Sequence, residues 1–466
     1  METLLQRFSR FAAEVTYDSL PPAVITSLKE RTLDTIGLCL AATPLDTSAM
    51  ALNLAVSWGG NPESSTIGAP QRVPAPSAGF VNGTLAHSLD YDDTHLPSVL
   101  HPSASIIPGV LAVGEAIAAA GKDVLAAAAI GYELCVRSGM AAYDRKLGNS
   151  VFFERGWHAT SICGTLGVAA AAAKLYGLGA DGIMHAVGIA ASMGSGVIEA
   201  NRTGGSVKRL HCGWAAHAGI IAAQSARAGF TGPPSILEGR FGFYQAFCGG
   251  QFDADEFLAR LGEYWCIPDI FYKPYPANHF THAGIDAAIR LRARIGNLDD
   301  ITEIELGVAA PTLRTIAQPP EQKARPQSGY HAQFSGPFTV AAALIGGGGG
   351  LGLWLGDFTD ARVLDARYLA LTAKVRCVAN AECDAIFPNQ FPAVLTIRLK
   401  SGEVLVEKVL ANRGGPGNPL SFDELKIKFL ANAGRRLSVA LAEALADGIA
   451  HLEVCELAEL LRQTHS

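Results

Sequence analysis

Charge is scarce in this chain. Asp, Glu, Lys and Arg make up 17% of its 466 residues, while 49% are hydrophobic. Their balance, a net charge of −6 with no basic stripe, excludes a nucleic-acid partner. No apolar run is both uncharged and long enough to cross a bilayer, which takes about 18 residues. The longest candidate, Ala159–Ala173, contains Thr, Ser and Gly and is closed by Lys174. Glu2, Arg7, Arg10 and Glu14 leave no room for an apolar signal core. A soluble cytoplasmic protein with no membrane partner is expected. Nine cysteines are scattered without one CxxC, and the closest pair, Cys377 and Cys383, is six apart. That argues against iron–sulfur clusters and zinc ribbons, whose thiolates come at short spacing. Buried free thiols in a reducing compartment are the reading. The Gly346–Gly350 run follows a helical pattern and lacks a Gly-Lys-Ser/Thr sequel, so it is a loop and not a phosphate cradle.

Most of the chain is Ala-rich helix pattern. Leu4, Leu5, Phe8, Phe11 and Ala12 recur at helical spacing, as do Val24, Leu28, Leu33 and Ile36. Further helices are expected at 106–120, 123–142, 158–176, 180–195 and 209–229. They are apolar around most of their circumference, which places them inside a bundle. The pattern changes after Trp265. Ile301–Val308, Val394–Leu399 and Glu403–Val409 alternate as half-buried strands, and Lys400-Ser401-Gly402 is a hairpin turn. Helical patterns at 281–294 and 332–345 lie among them. Ser421 and Glu424 form a capping box for a helix towards Leu430, and 437–461 is helical again. The expected fold is mainly α: a large discontinuous helical domain (1–266 and 411–466) and a smaller α+β domain (267–410). Clefts between such lobes commonly hold active sites.

The segment His87–Ser103 gathers Asp90, Asp92, Asp93, His87, His95 and His101 between apolar helices. Such a polar knot costs free energy unless its groups are paired, solvated or used. Metal ligation, a hydrogen-bonded structural loop and acid–base chemistry all remain open, although the spacing matches no standard metal pattern. Elsewhere, His158 opens a helix, where the macrodipole favours the neutral imidazole. Lys208 precedes an apolar helix, a place unfavourable to a cation unless an anion is near. His211 and His217 follow it. Lys273 lies at the domain crossover, with Asn278, His279 and His282 beyond. Lysines, neutral histidines and an aspartate-rich loop, without a metal or cofactor fingerprint, suit a small polyanionic carboxylate. Proton abstraction beside its carboxylate would need stabilisation of the developing charge.

The motifs HSLDYDDTH…HPS, GWHATSICGTLGVAAAAAKLYGL, GSVKRLHCGWAAHAGI, KPYPANHFTHAGIDA, AQFSGPFTVAAAL and NPLSFDELKIKF resemble, in order, those of the MmgE/PrpD family. That family includes 2-methylcitrate dehydratase, cis-aconitate decarboxylase and iminodisuccinate epimerase. The resemblance implies a large helical domain with an α+β lid, a homodimer, and neither metal nor organic cofactor. It implies that Asp90, Thr94, His101, His158, Lys208 and Lys273 line an anion cleft. Three motifs depart: Phe338 stands where the decarboxylase has a tyrosine, Asn278 and His279 follow the KPYP turn, and Cys212 replaces a proline. Length and character bring the epimerase nearest, so an isomerase acting on an amino-dicarboxylate such as iminodisuccinate is the first expectation. His158 and Lys208 are its acid–base pair, tuned by Asp90. Thr94, His101, Lys273 and His279 bind substrate, and Tyr143, Lys273 and His279 are the reserve acid–base groups. The alternative is a lyase of the dehydratase or decarboxylase kind.

Overall fold

The computed structural model describes residues 2–200 and 204–465. It divides into two compact units, Met1–Ile270 with Asn432–Ser466, and Phe271–Ala431. The boundaries expected at 266/267 and 410/411 therefore move. Residues 411–431 cluster with the second unit and not with the returning segment. Arg413 shows why: its guanidinium bonds Tyr275 Oη at 3.1 Å and also pairs with Glu424.

The first unit is a helix bundle. Its main elements are Pro22–Ala42, Ala75–His87, Ser103–Ala116, Gly121–Ala141, Ala159–Leu175 and Val207–Arg227. Every residue of Ala75–His87 is buried, the polar Ser77, Asn82, Thr84 and His87 included. Gly121–Ala141 is long and apolar enough to cross a membrane, yet 94% of its most apolar stretch is buried inside the protein, as in a core helix.

Small residues set how closely these helices cross. A Cβ on Gly213 would lie 2.2 Å from the Phe80 carbonyl and 2.3 Å from Thr84 Oγ1; one on Gly83 would meet the Cys212 carbonyl at 2.8 Å. Only hydrogen fits at either position. Helices Ala75–His87 and Val207–Arg227 thus touch backbone to backbone, which brings the end of the first beside the start of the second. Cys212 is fully buried at this crossing, a packing position.

The second unit is built on a four-stranded sheet. Ile301–Val308 runs parallel to Val375–Ala379 on one side and antiparallel to Ala393–Leu399 on the other, with Val404–Val409 outermost. Inward residues Ile304, Leu306, Leu395 and Ile397 are fully buried and form a core with the helices His282–Arg292 and Gly336–Ile345. The turn at 400–402 closes as expected, with Gly402 at φ +86 and Leu399 N–H bonding the Glu403 carbonyl at 2.9 Å. The strand Val375–Ala379 carries no clean alternation and was not expected. The helix expected over 332–345 is broken. Ser335 accepts from Phe338 N–H at 3.0 Å, and Pro337 sits in the first turn, so a new helix starts there. Likewise Ser438 caps Val439–Ala450, and a separate short helix, Leu457–Arg462, follows. The 421–424 capping box forms: Ser421 N–H bonds Glu424 at 2.7 Å and Glu424 N–H returns to Ser421 Oγ at 3.2 Å.

Candidate functional site

The Asp/His segment leaves the helix Ala75–His87 and enters Ser103–Ala116. It is strapped from behind. Arg31, on helix Pro22–Ala42, donates to Asp93 Oδ2 at 2.6 Å and to the carbonyls of Ile267 and Ile270 at 3.0 and 2.6 Å. Ser103 donates to the same carboxylate through its backbone N–H and its hydroxyl. Burial pushes the Asp93 carboxyl up, and Arg31 and Ser103 pull it back down. His95 bonds Ser98 Oγ at 2.6 Å, and burial, then Arg31, hold it down at about 4. Asp93 and His95 are therefore fastenings of the loop.

The remaining groups face one another. Asp90 and Val99 hold positive φ, +51 and +55, a conformation that costs an L-residue free energy and persists only where the surroundings enforce it. Asp90 Oδ1 meets Lys208 Nζ at 3.3 Å, which gives the helix-start lysine the anion it requires. His101 Nδ1 lies 2.7 Å from the Asp93 carbonyl and 3.3 Å from Thr94 Oγ1. A carbonyl only accepts, so His101 carries its proton on Nδ1, and in the neutral ring Nε2 is the accepting nitrogen.

His158 is the N-cap of Ala159–Leu175, its N–H bonded to the Gly196 carbonyl at 2.9 Å. Its Nδ1 lies 3.0 Å from His211 Nδ1. One ring must donate and the other accept, so both cannot be protonated there. His158 is held well below the ordinary histidine range, by burial first and then by His87, Lys208, His211 and His101. Its neutrality thus matches expectation, but burial is the main cause, not the helix macrodipole. His211 is lowered to about 4 by burial, His87 and Lys208.

Three residues omitted from the sequence-based site, His87, Asp92 and His211, complete the cluster. His87 Nδ1 lies 2.7 Å from Asp92 Oδ2, and both side chains are almost wholly buried. The His87 ring stands 5.2 Å from that of His101 and 5.4 Å from that of His158, and His158 is 5.1 Å from His211. Four imidazoles thus run His101–His87–His158–His211. The usable sequence signal for His211 was its spacing, three residues after Lys208 on one helix face.

Lys273 and His279 belong to the second unit and are described there alone. Lys273 is buried. His279 is packed edge-on against Phe271 and Phe391, 4.7 Å from the His282 ring. Asn278 accepts from Phe280 N–H at 3.1 Å and so serves as a cap. Tyr275 donates to buried Asp286 at 2.6 Å. Phe338 is fully buried in that unit's core, stacked 5.5 Å from Tyr368. Tyr143 sits in the first unit, in a two-residue strand paired with Ser150. Among the described residues, no group of three or more His, Cys, Asp or Glu is arranged to hold a metal ion.

A family model described as the MmgE/PrpD N-terminal domain matches residues 6–255, and one described as the C-terminal domain matches 275–453. Cis-aconitate decarboxylase of Homo sapiens is 29% identical, over 98% of this chain and 93% of its own length. Cis-aconitate decarboxylase-like protein oryM of Aspergillus oryzae is 27% identical over 97% and 95%. The Mus musculus cis-aconitate decarboxylase is 27% identical over 98% and 92%. These names favour the lyase expectation, and the epimerase expectation finds no support among them.

Proposed function

The chain belongs to the MmgE/PrpD family, and from that premise we propose that it is a cofactor-independent lyase that decarboxylates an unsaturated tricarboxylate of the cis-aconitate type. The observation that carries the reading is the joining of Lys208–Asp90 to a row of imidazoles in which burial keeps His158 and His211 neutral.

The chemistry suits that kit. In such an acid one carboxylate hangs on a CH2 group next to the double bond. Breaking its C–C bond releases CO2. The electron pair moves through the double bond to the carbon bearing another carboxylate, which then takes a proton. A trianion and one proton give a dianion and CO2, so the site needs anchors for carboxylates and one proton donor. Lys208 supplies a point charge for a carboxylate and for the dienolate-like charge that develops. His101, with Nδ1 fixed on a carbonyl, presents Nε2 as donor or acceptor, and Thr94 adds a hydroxyl. His158, kept neutral by burial and by Lys208 among its neighbours, is the acid–base candidate. Lys273 and His279 are proposed as further carboxylate contacts, and Asp90 as the group that aims Lys208. The homodimer implied by the family is part of the proposal.

The test is incubation with cis-aconitate in D2O followed by NMR. Growth of terminal-vinyl signals with release of CO2 supports the reading. Inert cis-aconitate, together with stereoisomer interconversion of iminodisuccinate, overturns it in favour of the isomerase.

A further inference from the structure

We propose that a surface cleft of the helix bundle, lined by Trp58, Trp214 and Glu63, binds a small organic cation of the quaternary ammonium kind. The cleft measures about 560 Å3, within the usual size of small-ligand sites. Three helices meet there. Asp46–Trp58 ends in it with Trp58, Ala75–His87 brings Pro76 from its first turn, and Val207–Arg227 brings Trp214, His217 and Gln224. Lys208 and His211 of that last helix are not in the lining, so the cleft is separate from the histidine row.

Its walls are aromatic and open. The His217 ring stacks on Trp214 at 5.4 Å and 20°, and stands 5.5 Å from Trp58. Both indoles nevertheless stay exposed, Trp58 at 44% and Trp214 at 41%. Large apolar groups left open together mark a surface that binds something. The face of an aromatic ring attracts cations, and that of tryptophan does so most strongly.

Charge fixes the sign of the ligand. Among the described residues the lining holds no lysine or arginine, and Glu63 is its carboxylate. His217 Nδ1 lies 3.1 Å from the Pro76 carbonyl, which accepts, so that nitrogen carries the hydrogen. Burial holds the ring below the ordinary histidine range, against the raising effect of that bond, and leaves it neutral at pH 7. The Glu63 carboxylate accepts from Ala75 N–H at 3.4 Å, at a helix start where negative charge is favoured. It has no ion-pair partner among the described residues. Arg72 donates to the Glu63 backbone carbonyl at 2.7 Å and pairs with buried Glu115 instead. Arg227 lies over the Tyr176 ring at 4.9 Å.

A carboxylate without a counterion beside two open indoles is complementary to one large, weakly hydrated positive charge. A quaternary ammonium group meets that description. Its methyl groups pack on the rings, and it has no N–H that needs an acceptor. A polyanionic carboxylate, the substrate class proposed above, would be repelled by Glu63, so this cleft takes a different ligand.

The test is calorimetric titration of the full chain with choline and with its neutral carbon isostere, 3,3-dimethylbutan-1-ol. One choline should bind per chain, and the isostere should bind about 10-fold more weakly or worse. Glu63→Gln keeps an acceptor for Ala75 N–H and removes the charge; Trp214→Ala removes one open ring. Each should weaken choline by about 5- to 30-fold, with the melting temperature unchanged. Trp214→Phe keeps a ring and should fall between Trp214→Ala and wild type. Absence of choline binding, equal binding of the isostere, or full affinity in Glu63→Gln overturns the proposal. Light scattering on the same samples tests a second copy of the chain as the occupant: if Trp214→Ala turns a dimer into monomers, the face is a subunit contact and the cation site is rejected. Should Trp214→Ala fail to fold, Trp214→Phe and Glu63→Gln decide.

Discussion

Arg31 and Asp93 meet at 2.6 Å with both side chains 1% exposed, sixty-two residues apart in sequence. This pair fixes the loop that carries half of the candidate site. Its guanidinium also holds the carbonyls of Ile267 and Ile270, at the end of the first unit's long segment.

Removing one partner of a buried pair leaves the other charge unpaired. Arg31→Met should therefore lower unfolding free energy by about 3–5 kcal/mol. Arg31→Lys should recover only part of that, because one ammonium cannot span the carboxylate and two carbonyls. Urea unfolding of the three proteins checks this; equal stability of Arg31→Met and wild type would contradict it.

Lys208→Met removes the cation opposite Asp90 and, in the proposal, a carboxylate anchor. A charged hydrogen bond is worth about 1.5–3 kcal/mol, so KM should rise about 10- to 150-fold. Asp90→Asn should act more mildly on KM and leave stability near wild type, since Asn also tolerates positive φ. Steady-state kinetics decide, and an unchanged KM in Lys208→Met removes the anchor role.

Acid should weaken the fold before the carboxylates titrate fully. His95 and His211 are held near 4 in the folded protein against an ordinary 6.5. Between those values the unfolded chain binds more protons, so this contribution is complete above about pH 6.5 and is lost as pH falls towards 4. Melting temperatures at pH 7.5, 5.5 and 4.5 should decline. His95→Asn keeps a polar partner for Ser98 and should flatten part of that decline; an identical pH profile would remove His95 from the account.

Phe338→Tyr restores the hydroxyl that the family resemblance associates with substrate. In this structure the ring is fully buried against Tyr368 and Phe358. The new hydroxyl should cost about 1–3 kcal/mol of stability and leave turnover no faster. A gain in turnover would place that position at the substrate instead.

The bundle and the sheet were legible because their patterns are strong. Ile301–Val308 alternates cleanly, and Ser421 with Glu424 is a complete cap. Val375–Ala379 escaped because its residues are mostly half-buried and show no period. In the site, residue types pointed to Asp90, His158 and Lys208, which the first unit brings together. His87 and Asp92 were set aside as loop structure because their pairing depends on how the chain turns at Asp90, a positive-φ residue that no spacing reveals.

The contact of Gly83 with Gly213 has an evolutionary consequence. The two backbones that carry His87 and His211 have no slack between them, so the separation of the imidazoles is inherited with the bundle. Descendants of this scaffold cannot retune it by lengthening a loop. New substrates would have to be accommodated by exchanging side chains at fixed stations, which is how one helical frame can pass between chemistries while its histidine row stays in place.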